Sequence, residues 1–228
     1  MTVIEAAINP NGKVDLAPSA TAQINIQRIG RETMRVPVIG TAPLIVHAWS
    51  EKAKRQMLDA MQSRKTPKTN KDPEQDCLDA LYTCEDGRYG VPSLAFKSSF
   101  VNASRYFGKA TPMTLLRQAL FVEGVLSNAR SGAVALTPIV GSWSMREDPV
   151  RVGVSGTDLR YRPEFREWGA IVIVTYVSSL LSQDSVLALI DAAGMGVGVC
   201  EWRPERNGAN GTYRIDESRD IEIVQNRA

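Results

Sequence analysis

Residues 169–215 read GAIVIVTYVSSLLSQDSVLALIDAAGMGVGVCEWRPERNGANGTYRI, and the order of patterns inside them decides the fold. GAIVIVTYVSSLL (169–181) is apolar on both alternating faces, as expected of a strand in the middle of a sheet covered on one side by helices. Ser182 follows as a helix N-cap with Asp184 in the first turn. Val186, Leu187, Leu189, Ile190 and Ala193 then recur at helical spacing and make a buried face. Gly194 is the expected left-handed residue that ends this helix. After a glycine-rich passage, GTYRIDES (211–218) alternates Tyr213 and Ile215 against Thr212 and Arg214, which predicts a returning strand.

A polar, turn-rich leader (1–34) contains TAQINIQRIG (21–30), which alternates like a strand, and MRVPVIGTAPLIVHAW (34–49) follows as a strand interrupted by Gly40 and Pro43. SEKAKRQMLDAM (50–61) has a helix signature, with Ser50 as N-cap and Ala53, Met57, Ala60 and Met61 on one face. It runs into QSRKTPKTNKDPEQD (62–76), whose Arg64, Lys65, Lys68 and Lys71 give the composition of a mobile basic loop. DCLDALYTCEDGRYGVP (76–92) reads as a short helix and a hairpin turning at Asp86-Gly87, and SLAFKSSFVNASRYFG (93–108) as a helix stopped by Gly108. Residues 111–158 read as strand and loop material of unassigned order.

Strand, helix, glycine-rich loop, strand is one half of a ferredoxin-like or RRM-type fold. The expected class is therefore α+β, with a ferredoxin-like/RRM-type core, an inserted basic loop and an additional strand and loop region. The expected organisation is a leader or strand at 1–34, an RRM-like domain at 35–216 with an insertion around 50–88, and a C-terminal strand or tail at 217–228.

Composition narrows the function classes. With 228 residues, 43% of them hydrophobic and 23% charged, the chain can bury one sizeable core. Net charge is only +2, so any anion-binding role must come from local patches. Cys77, Cys84 and Cys200 show no paired metal spacing, and with one histidine in the chain a zinc site is not expected. No stretch has the length and apolarity of a signal peptide or membrane span, which predicts a cytoplasmic protein with no membrane partner.

VPSLAFKSSFVNASR (91–105) places a proline, four residues, a lysine and a small residue at a helix start. It resembles the first-helix signature of the RAMP superfamily, the RRM-like RNA-binding proteins of class 1 CRISPR complexes, whose usual form reads roughly IPGSSLKGALR. Pro92, Phe96 and Lys97 match position by position, and Ser98 stands where the family prefers glycine. The second hallmark of that superfamily is a glycine-rich loop between the last helix and the last strand, where GMGVGVCEWRPERNGANG (194–211) lies. The resemblance covers residues 35–215, and the seven-type backbone subunits that polymerise along guide RNA look nearest. It implies a protein that binds RNA and assembles as repeated subunits, a homo-oligomer or filament, together with other CRISPR-complex subunits. Similar short reading frames occur in phage genomes, so a phage product in a bacterial cell is part of the expectation.

The residues themselves point the same way. Glycines such as Gly196 and Gly198 let backbone N–H groups approach phosphates, arginines neutralise them, and exposed aromatics stack on unpaired bases. Arg203, Arg206 and Arg214 interleave with Trp202 and Tyr213, and LRYRPEFREW (159–168) repeats the composition with Arg160, Arg162 and Arg166 around Tyr161, Phe165 and Trp168. The alternative reading makes Trp202 and Trp168 core residues, pairs the arginines with Glu201, Glu205, Glu164 and Glu167, and leaves the glycines to build turns. The candidate nucleic-acid-binding residues are thus Lys97, Arg64, Lys65, Lys68, Arg160, Arg162, Arg166, Trp202, Arg203, Arg206, Gly196 and Gly198.

Catalysis finds little support. His47, near where some processing endoribonucleases of the superfamily keep a general base, sits beside Trp49 on an apolar strand, a setting more often structural. Asp72, Asp76 and Asp79 lie in the insertion, where some backbone subunits carry a target-cleaving aspartate, and DPEQD is equally a solvated helix start. No nucleotide-binding glycine loop or nucleophile elbow is present. The expected protein has no catalytic residues, metal or cofactor and binds single-stranded nucleic acid, RNA ahead of DNA. The alternatives are a phage protein that coats or anneals single-stranded DNA, and a backbone-subunit mimic that inhibits CRISPR complexes by binding protein.

Overall fold

A computed structural model describes residues 28–64, 70–128, 133–153 and 156–224. The leader up to residue 27, and with it the TAQINIQ alternation, lies outside the described residues. In chain order the elements are β1 (Arg31–Gly40), β2 (Leu44–Ile45), α1 (Glu51–Met61), α2 (Pro73–Asp79), β3 (Tyr82–Thr83), β4 (Tyr89–Pro92), α3 (Ser93–Ala103), α4 (Met113–Ala119), β5 (Leu120–Glu123) and β6 (Val125–Leu126). There follow β7 (Ala135–Val140), β8 (Trp143–Val152), β9 (Gly156–Phe165), β10 (Gly169–Val177), α5 (Gln183–Gly196), β11 (Tyr213–Ile215) and β12 (Glu222–Val224).

The sheet is built on β1 and β10, which pair antiparallel from Arg31↔Val177 to Ile39↔Gly169. In β10 every second residue, Ala170, Val172, Val174 and Tyr176, is buried, and the residues between are half-buried. The period of two therefore survives even where both faces read as apolar, because only one face receives helices. Met34, Val36 and Val38 of β1 join that face. Phe96 and Phe100 of α3 and Val186, Leu189, Ile190 and Ala193 of α5 close over it. Each of these side chains larger than alanine contributes about 1.5–3 kcal/mol when removed from water. The full order is β11-β1-β10-β7-β4-β3, with β12 beside β1, β5 beside β10 and β6 beside β7. Following the chain, the path β1, α3, β5, β10, α5, β11 lays its strands down in the spatial order β11-β1-β10-β5, every neighbour antiparallel. The chain is thus α+β.

A separate three-stranded sheet, β2-β9-β8, carries the long β8–β9 hairpin. Its base is tied to the main core through Phe165, fully buried against Tyr89 with ring centroids 6.3 Å apart.

Several local expectations are corrected. Residues 113–119 form α4, with Leu116 and Ala119 buried, inside the region read as strand and loop. Gly194 does not end α5, which continues to Gly196 before Val197; the left-handed residue is Gly198, at φ 71°. Gly194 is glycine for packing, since a Cβ there would run into the carbonyl oxygen of Tyr213. The basic loop is shorter than read: α2 starts at Pro73, with the Asp72 side chain accepting from Gln75 N, and Lys71 is anchored to Asp158 and the Leu159 carbonyl. Phe165 and Trp168 are core residues, Trp168 donating from Nε1 to the Ala42 carbonyl at 2.9 Å and packing edge-on against Tyr213.

Candidate functional site

The glycine-rich passage folds on itself. Gly198 N donates to Ala193 O at 2.8 Å, Gly208 N to Arg203 O at 3.0 Å and Gly211 N to Pro43 O at 2.8 Å, so these amides are already engaged. Gly196 lies inside α5 against Tyr106, and at Gly208 and Gly211 a Cβ would meet the carbonyls of Trp202 and Val199. The glycines permit close backbone packing and tight turns. Arg203 donates from Nε and Nη2 to Glu205 and from Nη1 to the Cys200 carbonyl, and Glu205 accepts Asn102 on its other oxygen. Arg206 is exposed. Arg203 thus takes the structural pairing that the alternative reading gave it.

Glu201 N donates to Ile45 O at 3.1 Å, docking the loop on β2. Trp202 thereby reaches the hairpin base, with the guanidinium carbons of Arg146 and Arg162 at 5.1 and 5.5 Å from its ring centroid. Beneath it lies an ionic cluster. Arg146 donates to Asp148 at 2.9 Å and to Glu164 at 2.7 Å, while Arg162, 2% exposed, stands 3.6 Å from Asp148 Oδ2. That 3.6 Å approach is an ion pair without a hydrogen bond: Asp148 Oδ2 and Arg162 Nε and Nη1 lack hydrogen-bond partners. Burial pushes the Arg162 pKa down from its ordinary value, with Glu201 and Asp148 acting against it. Arg166 is outside, pairing with Glu164 at 3.3 Å.

An open surface lies beside β9. A groove of about 810 Å³ runs between β9, the segment before α1 and the insertion, lined by His47, Trp49, Lys52, Gln56, Asn70, Lys71, Asp76, Asp158, Arg160 and Tyr161 among others. Ser50 caps α1 by accepting from Ala53 N, which fixes Trp49 just outside the helix with 59% of its surface exposed. Lys52 pairs with Asp76 at 3.2 Å and Lys71 with Asp158, and Arg160 is exposed on β9. His47 lines both this groove and a second cavity of about 330 Å³ between α3 and the glycine-rich loop. Its pKa is lowered, chiefly by burial and next by Arg162, with Glu201 opposing, which favours the neutral imidazole.

Among the sequence candidates that fall in the described residues, only Arg160 lines the groove. Lys97 turns toward β5, its Nζ 4.2 Å from the Phe121 ring centroid and its pKa lowered by burial. Arg64 is exposed just after α1, and Lys65 and Lys68 lie outside the described residues. The sequence reading named Tyr161 among the interleaved aromatics but did not single out the groove residues Trp49, Lys52 and Gln56. Their local signals are only a helix cap and a strand, and what joins them is the packing of the insertion on β9.

The Cys200 thiol is pushed up to about 12 by burial and by Glu201, which keeps it protonated and poorly nucleophilic. Asp76 is tied to Lys52, and Asp79 accepts from Gln75 Nε2 at 2.7 Å. Among the described residues, no group of three or more His, Cys, Asp or Glu side chains is placed to hold a metal ion, and no helix is long and apolar enough to cross a membrane. Compared with known proteins, the chain matches no family model and no curated sequence.

Proposed function

We propose that the protein binds single-stranded nucleic acid, RNA in particular, in the groove beside β9, and does so without cutting it. The observation that carries this reading is the exposed Trp49 and the half-buried Tyr161 set among Lys52, Lys71 and Arg160 in one open groove. Aromatic faces stack on bases of any sequence, and cations along the same path neutralise phosphates. Lys52 and Lys71 are held by Asp76 and Asp158, so a phosphate would have to compete with those carboxylates, while Arg160 is exposed at the groove wall.

The strand order β11-β1-β10-β5, with α3 and α5 on one face, supports the ferredoxin-like and RAMP-type reading, in which the chain acts as a repeated subunit along the strand. The apolar side chains left exposed on α1, Met57, Leu58 and Met61, suit contact with a neighbouring copy. Fluorescence anisotropy on homopolymer strands over a salt series tests the binding. Affinity is expected to fall roughly tenfold or more from low to physiological salt, and W49A and R160A are expected to weaken it without loss of fold. Absence of binding to any single strand at low salt rejects the reading.

A further inference from the structure

The cavity of about 330 Å³ that adjoins the groove at His47 contains one carboxylate that lies near the charges of Arg162 and His47 but, among the described residues, accepts no hydrogen bond. Glu205 has both oxygens engaged by Asn102 and Arg203, and Arg203 has Nε, Nη1 and Nη2 engaged by Glu205 and the Cys200 carbonyl. Glu201 differs: among the described residues no side chain or amide donates a hydrogen bond to its carboxylate, and His47 Nδ1 stands 4.0 Å away. Its backbone is pinned by the bond to Ile45 O and flanked by Cys200 and Trp202, both with positive φ (64° and 51°). That pinned backbone holds Glu201 at the cavity wall. The walls include the rings of His47 and Tyr82 and the apolar surfaces of Pro92, Leu94, Ala95 and Val199, with Ser98 and Ser99 adding hydroxyls beside the paired Arg203 and Glu205.

The volume is at the small end of ligand sites, suited to one planar heterocycle held among ring, apolar and hydroxyl-bearing walls. A carboxylate whose two oxygens accept no hydrogen bond selects a ligand that presents two N–H donors side by side. Guanine does so through N1–H and its N2 amino group. Adenine offers one amino group next to the N1 lone pair, cytosine one next to the N3 lone pair, and uracil a single N–H between two carbonyls, so each would set an acceptor against the carboxylate. His47 lines both spaces, so the cavity adjoins the groove within reach of a base turned out of a strand there.

We infer that the cavity is a guanine-selective subsite, in which Glu201 accepts from N1–H and the N2 amino group of a base turned out of the bound strand. This rests on the single-strand reading of the groove. The test is anisotropy with an oligoadenylate carrying one central guanosine, its inosine counterpart and the all-adenosine parent, together with NMR titration by GMP and IMP. The guanosine strand is expected to bind about tenfold tighter than the inosine strand, which lacks only the N2 amino group. E201Q, with one acceptor oxygen in place of two, is expected to bring the guanosine strand to the inosine level. If the wild-type chain binds all three strands equally, the subsite is overturned and the groove reading stands. If no strand binds, the groove reading fails; GMP binding that exceeds IMP binding and is lost in E201Q then sustains the subsite alone, and no such preference overturns it as well.

Discussion

At the scale of single residues, the ionic cluster under Trp202 separates partners of unequal importance. Arg162 is 2% exposed and has two N–H groups without acceptors, whereas Asp148 keeps a hydrogen bond from Arg146 whether or not Arg162 is present. Asp148→Ala strands two guanidinium groups against each other and is expected to cost about 3 kcal/mol. Arg162→Met removes the desolvated charge and is expected to change stability by less than about 1 kcal/mol. Urea denaturation of both variants measures the asymmetry, and equal losses would contradict it. His47 sets a pH dependence of known sign. Its folded pKa lies below the ordinary 6.5, so the unfolded chain binds a proton first. Its contribution is present above pH 6.5 and is lost as pH falls toward the folded pKa. Melting temperature should therefore drop more steeply below pH 6.5 in the wild-type chain than in H47Q. Neither effect was legible from sequence, where Arg162 looked like its exposed neighbours Arg160 and Arg166.

At the scale of elements, α5 and β11 approach so closely that one residue decides the contact. Tyr213 is 1% exposed and packs on Phe96 with centroids 5.6 Å apart, and its carbonyl occupies the space over Gly194. Gly194→Ala is expected to destabilise by about 1–3 kcal/mol, because overpacking against backbone outweighs a gain of up to about 1 kcal/mol in helix propensity. Thermal or urea melts check it, and a stabilised variant would show that α5 can shift away. The caps at Ser50 and Ser182 and the apolar period of β10 were readable because their causes are local. α4 was not read: seven residues with only Leu116 and Ala119 buried present too little of a helical face to stand out.

For the whole molecule, α1 is the element whose role the isolated chain does not explain. None of its residues is buried, and Met61 is 76% exposed. Substituting Met57 and Met61 by lysine should change the stability of one copy by no more than about 0.5 kcal/mol each. If α1 contacts the next copy along a strand, the same change weakens cooperativity, since affinity in such arrays comes from neighbours. Mass photometry with a long single strand is expected to give a ladder of regular steps for the wild-type chain and isolated complexes for M57K/M61K. A strictly one-to-one complex of the wild-type chain would rule the assembly out.

The sequence by itself determined which segments are strands and helices wherever an apolar period or a cap is complete within a few residues, as in β10, α1 and α5. From those segments the α+β class followed. Only the tertiary structure decided which charges are free. Arg203 meets Glu205 two residues on, but Arg146 meets Glu164 across the hairpin and Lys71 meets Asp158 from the insertion. A groove or cavity is likewise a property of surfaces brought together from distant segments, here residues 47–56, 70–80 and 158–161. Local patterns record burial and backbone preference, which each residue carries with it. Pairing of charges and enclosure of space depend on long-range packing, which a single sequence does not display.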